Sequence, residues 1–123
     1  MTAIYTKNAP DAIGPYSQGI VADGKLYTSG QIPVDPVTGK IPEGIKLQTE
    51  QVMKNLKALL LESGSDFGHV IKTTCFLSDM GDFAEFNEIY EKYFIGKPAR
   101  SCVAVKTLPK NVLTEVELIS SVV

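Results

Sequence analysis

Two stretches of this chain carry apolar residues at helical spacing, and nearly everything around them carries strand and turn patterns. In residues 46–63, Val52, Met53, Leu56, Leu59 and Leu60 recur on one helical face, and Gly64 stands where a helix end favours a left-handed residue. A second stripe follows Asp82, which with Glu85 offers a capping box. It comprises Phe83, Phe86, Tyr90, Tyr93 and Phe94, and Gly96 and Pro98 end it. A sheet has two faces, and two helices can cover only one of them.

The remaining segments supply the sheet. Residues 20–22 and 25–28 flank Asp23-Gly24, a dipeptide suited to the positive φ angles of a type I′ hairpin turn. Pro33, Pro36 and Pro42 make residues 32–44 a loop or a distorted edge ribbon, with a turn at Asp35-Pro36-Val37-Thr38-Gly39. Residues 69–77, 100–106 and 115–122 read as strands. The order β-rich, α, β, α, β, β predicts an α+β fold with two helices on one face of a mixed sheet. With 123 residues, 44% of them hydrophobic, the chain can hide about two-thirds of its unfolded surface, and we read residues 1–123 as one domain.

Composition narrows the function classes. Twelve basic residues against 14 acidic ones give a net charge of −2, which argues against affinity built on phosphate neutralisation, so no nucleic-acid partner is expected. No apolar run approaches the roughly 18–20 residues that span a bilayer, and residues 1–17 lack the unbroken apolar core of a secretory signal. The expectation is a cytoplasmic protein with no membrane partner. Cys75, Cys102 and the single His69 cannot make a closed zinc site or a histidine-based triad, and no loop has the acidic spacing of a calcium or magnesium site. No metal is expected.

Alternation along the late strands gives the first functional expectation. Val103 and Val105 point one way, and Arg100, Cys102 and Ala104 the other; Val116 and Leu118 oppose Glu115, Glu117 and Ile119. If the valines and Leu118 pack under the helices, Arg100, Glu115 and Glu117 share the uncovered face. The apolar residues there predict contact with another copy of the chain and a cleft lined by charge. Arg100 could then grip a small carboxylate with its planar fork, and a glutamate could orient and deprotonate water. The ordinary alternative is a cross-strand ion pair worth about 0.2–1 kcal/mol. Cys75 and Cys102 read as packed thiols, Tyr16, Tyr90 and Tyr93 as packing residues, and Asn87 as solvent-facing. Ser29-Gly30 could present backbone N–H groups to an anion.

Six segments carry a wider likeness: Gly14-Pro15-Tyr16-Ser17-Gln18, Ser29-Gly30-Gln31-Ile32-Pro33, residues 73–80, Phe86-Asn87-Glu88-Ile89-Tyr90, Pro98-Ala99-Arg100-Ser101-Cys102-Val103 and Glu115-Val116-Glu117. In this order they resemble the RidA (YjgF-type) family of reactive intermediate imine deaminases, over essentially the whole chain. The resemblance implies a chorismate-mutase-like fold, a homotrimer and a site in each intersubunit cleft. It also implies cofactor-free hydrolysis of 2-imino acids (2-iminopropanoate, 2-iminobutanoate), released by pyridoxal-phosphate-dependent dehydratases, to 2-oxo acids and ammonia. By the same resemblance Arg100 grips the substrate carboxylate, assisted by the Cys102 backbone N–H. Glu115 holds and activates water, and Tyr16, Ser29, Gly30 and Asn87 complete the pocket. Two departures stand out: residues 94–98 form a shorter segment than in many relatives, and Ala104 occupies a position often acidic. Two other classes stay open, a non-catalytic sensor or carrier of small carboxylates such as 2-oxo acids, and an endoribonuclease or translation inhibitor.

Overall fold

A computed structural model describes residues 1–122. Strands β1 (Thr2–Ile4), β2 (Gly19–Ala22) and β3 (Lys25–Thr28) lead into helix α1 (Ile45–Ser63). Then come β4 (Val70–Leu77), α2 (Phe83–Tyr93), β5 (Ala99–Ala104) and β6 (Thr114–Ser121). The six strands form one sheet in the order β1-β2-β3-β6-β4-β5. β4 and β5 are parallel, joined through α2, and the other pairs are antiparallel. The mixed sheet with two helices matches the α+β expectation.

Local chemistry explains most boundaries. Asp23 and Gly24 adopt φ of 51° and 72°, and Ala22 pairs with Lys25, as a type I′ turn requires. Gly64 takes φ 82° in the left-handed region, and its N–H and that of Ser65 close the last turn of α1 onto Leu61 and Leu60 carbonyls. The entry to α2 differs from expectation. Asp82 makes no side-chain cap; Asp79 instead accepts from the Gly81 N–H and starts a 3₁₀ turn that runs into the helix. His69 likewise belongs to a 3₁₀ turn, so the strand begins at Val70.

The core lies between α1, α2 and one sheet face. Val52, Met53, Leu56 and Leu60 of α1 meet Leu26, Cys75, Leu77, Val116 and Leu118 of the sheet and Phe86 of α2. Each fully buried large apolar side chain contributes about 1.5–3 kcal/mol. Polar residues at buried α1 positions hold the proline-rich loop. Asn55 donates to the Ile32 and Val34 carbonyls at 3.0 and 3.1 Å, and Gln48 donates to the Pro42 carbonyl and accepts from the Leu113 N–H. No helix among the described residues is long and apolar enough to cross a membrane.

Candidate functional site

The side chains singled out in the sequence fall into two groups, on opposite faces of the sheet. In β5 the register sets Arg100 level with Thr73 and Cys102 level with Cys75, both of which point into the core. Arg100 therefore lies on the helix side, and Val103, 46% exposed, lies on the uncovered side. This reverses the face expected from the valines and separates Arg100 from Glu115 within one chain. The reason is local: β5 is an edge strand, so its inward face is decided by Cys102 packing on the core and by the rings that α2 offers to the arginine stem.

Arg100 is well positioned there. Its Nη1 donates to Asn87 Oδ1 at 2.7 Å, and its guanidinium sits 4.7 Å from the Tyr90 ring centre and 5.4 Å from that of Phe83. Tyr90 is itself fixed by a 2.7 Å hydrogen bond between its hydroxyl and Thr73 Oγ1. Asn87 is thus half-buried and engaged, unlike the solvent-facing residue of the simplest sequence reading. Arg100, Asn87 and Tyr90 line an open cavity of about 330 Å³ whose far wall is the Phe94–Pro98 turn, with Lys97 at φ 51°. Arg100 forms no ion pair among the described residues.

Cys102 is half-buried on the same strand. The neighbouring Cys75 thiol lowers its pKa, burial opposes that shift, and the Arg100 charge assists it. Cys75 moves the other way, raised by the same pairing and by burial. The expected packing is present, but the two thiols are unequal.

The second group surrounds Glu115, which pairs with Phe76 on the uncovered face. Gly30 lies directly against it. A Cβ at Gly30 would collide with the Glu115 carboxylate, its Cδ standing 2.8 Å away, so glycine leaves the space the carboxylate occupies. Burial raises the Glu115 pKa above its ordinary value, and the Glu117 charge adds to the shift. Ser29 is spent on the fold: its N–H donates to the Gln18 carbonyl and its hydroxyl to the Ser17 carbonyl at 2.6 Å. It anchors the Tyr16 loop and does not offer that N–H to an anion. Gln18, buried, fastens the N-terminal segment through the Thr6 N–H and the Thr6 and Pro10 carbonyls. Tyr16, 54% exposed, and Gly30 border a larger cavity of about 760 Å³.

Three contributors escaped the sequence reading. Phe83 and Tyr90 form the shelf under Arg100, and the spacing of Asn87 and Tyr90 already put those two on one helix face. Gln31, 5% exposed, lines the larger cavity, and its Oε1 has no hydrogen-bond partner among the described residues.

Comparison with known proteins places these features in a family. The family described as Endoribonuclease L-PSP matches residues 6–122. A Lactococcus lactis protein named provisionally as a regulator, AldR, is 56% identical over 99% of this chain and 98% of its own length. A 2-iminobutanoate/2-iminopropanoate deaminase of Salmonella typhimurium is 47% identical over 95% of this chain and 94% of that protein. The crystal structure of YyfA from Yersinia pestis, a Rid-family protein of unknown function, superimposes with a TM-score of 0.95 at 49% identity, covering 98% of each chain. The chain belongs to the RidA/YjgF family, the Endoribonuclease L-PSP family.

Proposed function

We propose that the protein hydrolyses small 2-imino acids to 2-oxo acids and ammonia, in a cleft to which one copy brings Arg100 and a second copy brings Glu115. The observation that carries this reading is the Arg100 guanidinium, fixed by Asn87 and two rings, beside a cavity and without a carboxylate partner among the described residues. A fork so held loses little freedom when it takes a bidentate carboxylate. The deaminase names among the relatives support the same chemistry.

Because Arg100 and Glu115 lie on opposite faces of one sheet, the reading requires assembly. The uncovered face presents Tyr27 and Val103, 42% and 46% exposed, beside Phe76 and Ile119, an apolar surface suited to meeting another copy. A closed ring of three copies would then set the Glu115 group of each against the Arg100 edge of the next. In that cleft the Arg100 fork and the Cys102 N–H hold the substrate carboxylate, while Tyr16, Gly30 and Asn87 bound the niche. Glu115 orients a water whose oxygen adds to the imine carbon as a proton passes to nitrogen. The C–N bond then breaks, C=O forms and ammonia leaves. A glutamate placed beside that water can take a proton in the first step and return one in the second.

The test couples the protein to a threonine dehydratase in the presence of semicarbazide. Semicarbazone formation should fall while total 2-oxo acid is preserved; no competition with the trap would sink the proposal. Arg100→Ala should abolish the effect, and Arg100→Lys should lose most of it, a point charge having replaced a fork.

The relative named as a regulator favours a second reading, a carboxylate sensor built on the same arginine. Saturable binding of 2-oxo acids with no change in imine lifetime would select it. Ribonuclease chemistry has less support: His69, the only histidine, is paired with Asp66 at 2.8 Å and borders neither cavity.

A further inference from the structure

We propose that Cys75 and Cys102 are a peroxide-responsive dithiol that closes reversibly to an intrachain disulfide beside Arg100. Neither thiol is needed for the hydrolytic steps above, so the inference stands apart from that reading. The two residues are register partners on neighbouring parallel strands, and both side chains pack on the helix-covered face. Adjacent strands lie about 4.8 Å apart, inside the roughly 4.4–6.8 Å of Cα separation that a disulfide accepts. The thiols are the only cysteines in the chain, so no other intrachain pairing competes.

Their surroundings divide the labour. Cys102 is half-buried on the edge strand, open to a small oxidant, and the Arg100 charge and the Cys75 S–H favour its thiolate. Cys75 is fully buried one strand further in, its Sγ 3.8 Å from Thr73 Oγ1. It is screened from the oxidant but adjacent to Cys102. In the first step the Cys102 thiolate attacks one oxygen of hydrogen peroxide. The O–O bond breaks, hydroxide leaves and becomes water on taking a proton, and Cys102 becomes a sulfenic acid. In the second step the Cys75 sulfur attacks the Cys102 sulfur. The S–O bond breaks, and the Cys75 proton leaves with the hydroxyl as water. Two thiols and one peroxide give one disulfide and two waters.

The experiment exposes the reduced full-length protein to equimolar hydrogen peroxide, denatures it in iodoacetamide and maps the peptides. The expected result is a Cys75–Cys102 cross-linked peptide, two hydrogens lighter than the separate pair, in a chain that migrates as a monomer on a non-reducing denaturing gel. Dithiothreitol should restore two alkylatable thiols. Cys75→Ala should stop the reaction at a Cys102 sulfenic acid that dimedone captures, whereas Cys102→Ala should leave Cys75 unoxidised in the folded protein. Mapping matters because exposed Met1 and Met80 also take up oxygen. The proposal is overturned if wild-type Cys102 accumulates as sulfenic or sulfinic acid without the cross-link, if the disulfide joins two chains, or if both thiols stay reduced. The wild-type map alone decides this even if a variant fails to fold.

Discussion

The two faces of the sheet are made by the same strands yet reach different degrees of completion. Along β6, Thr114, Val116, Leu118 and Ser120 are all at most 2% exposed beneath the helices, while Glu115, Glu117 and Ile119 alternate onto a face that no helix covers. The covered face is largely satisfied: its apolar groups meet one another and the Ser65 and Ser120 hydroxyls pair at 2.7 Å, although the buried Thr114 Oγ1 has no hydrogen-bond partner among the described residues. The uncovered face holds a half-buried carboxylate, a like-charged neighbour and exposed valine and tyrosine. Stability is concentrated on one side of this molecule and unfinished chemistry on the other, with Arg100 at the sheet edge between them.

Phe86→Ala should produce the largest effect, because it empties a fully buried site between α2 and the sheet. A loss of about 3–5 kcal/mol is expected, read as a lower urea midpoint. Val103→Ser, on the other face, should shift that midpoint far less but weaken self-association in sedimentation. Equal destabilisation by the two would break the contrast between the faces.

Next in size is the separation of Arg100 from Glu115. Under the proposed imine hydrolysis, Arg100→Ala and Glu115→Gln should each reduce turnover at least about a hundredfold, close to 2.7 kcal/mol of barrier. If one cleft joins the two residues from different chains, unfolding, mixing and refolding the variants together in equal amounts should restore about a quarter of wild-type activity, since random assembly rebuilds that fraction of clefts. No recovery would mean that the residues do not cooperate across copies. Gly30→Ala is the milder probe. Its methyl group must displace the Glu115 carboxylate, so turnover should fall about tenfold while the urea midpoint hardly moves. A variant of normal activity would remove the carboxylate from the reaction.

Much of the covered face was legible before any coordinates. Periodicity located α1 within a residue of its true start, and Gly64 and Asp23-Gly24 marked their turns because only a few residues tolerate those φ angles. Three failures have distinct physical causes. The Asp82–Glu85 spacing promised a capping box, but Asp79 intercepted the chain one 3₁₀ turn earlier. β1 has three residues, too few to show an alternation, and is secured by pairing with β2. The inner side of β5 was reversed because Val103 looks like core in isolation, whereas an edge strand takes its orientation from what crosses above it, here Tyr90 and Phe83 of α2. The candidate site was legible only as residue identities. Alternation cannot report that Arg100 and Glu115 belong to opposite faces unless the strand register is known.

The smallest effect is also the one that most directly interrogates the uncovered face. In the isolated chain Glu115 has a raised pKa because burial and Glu117 both penalise its charged form. A group of this kind contributes its full stability below its unfolded value of about 4.3 and loses that contribution as pH rises through its folded value. Glu115→Gln should therefore match wild type in acid and become the more stable of the two at pH 7. That sign applies to dilute protein, in which no second copy faces the carboxylate. At concentrations where copies assemble, an Arg100 from the neighbour would favour the charged form, and the same substitution should become destabilising at pH 7. Urea midpoints at pH 7 across a range of protein concentrations measure both regimes. A glutamine variant more stable at every concentration would leave Glu115 facing solvent or its own chain, and the shared cleft would lose its carboxylate.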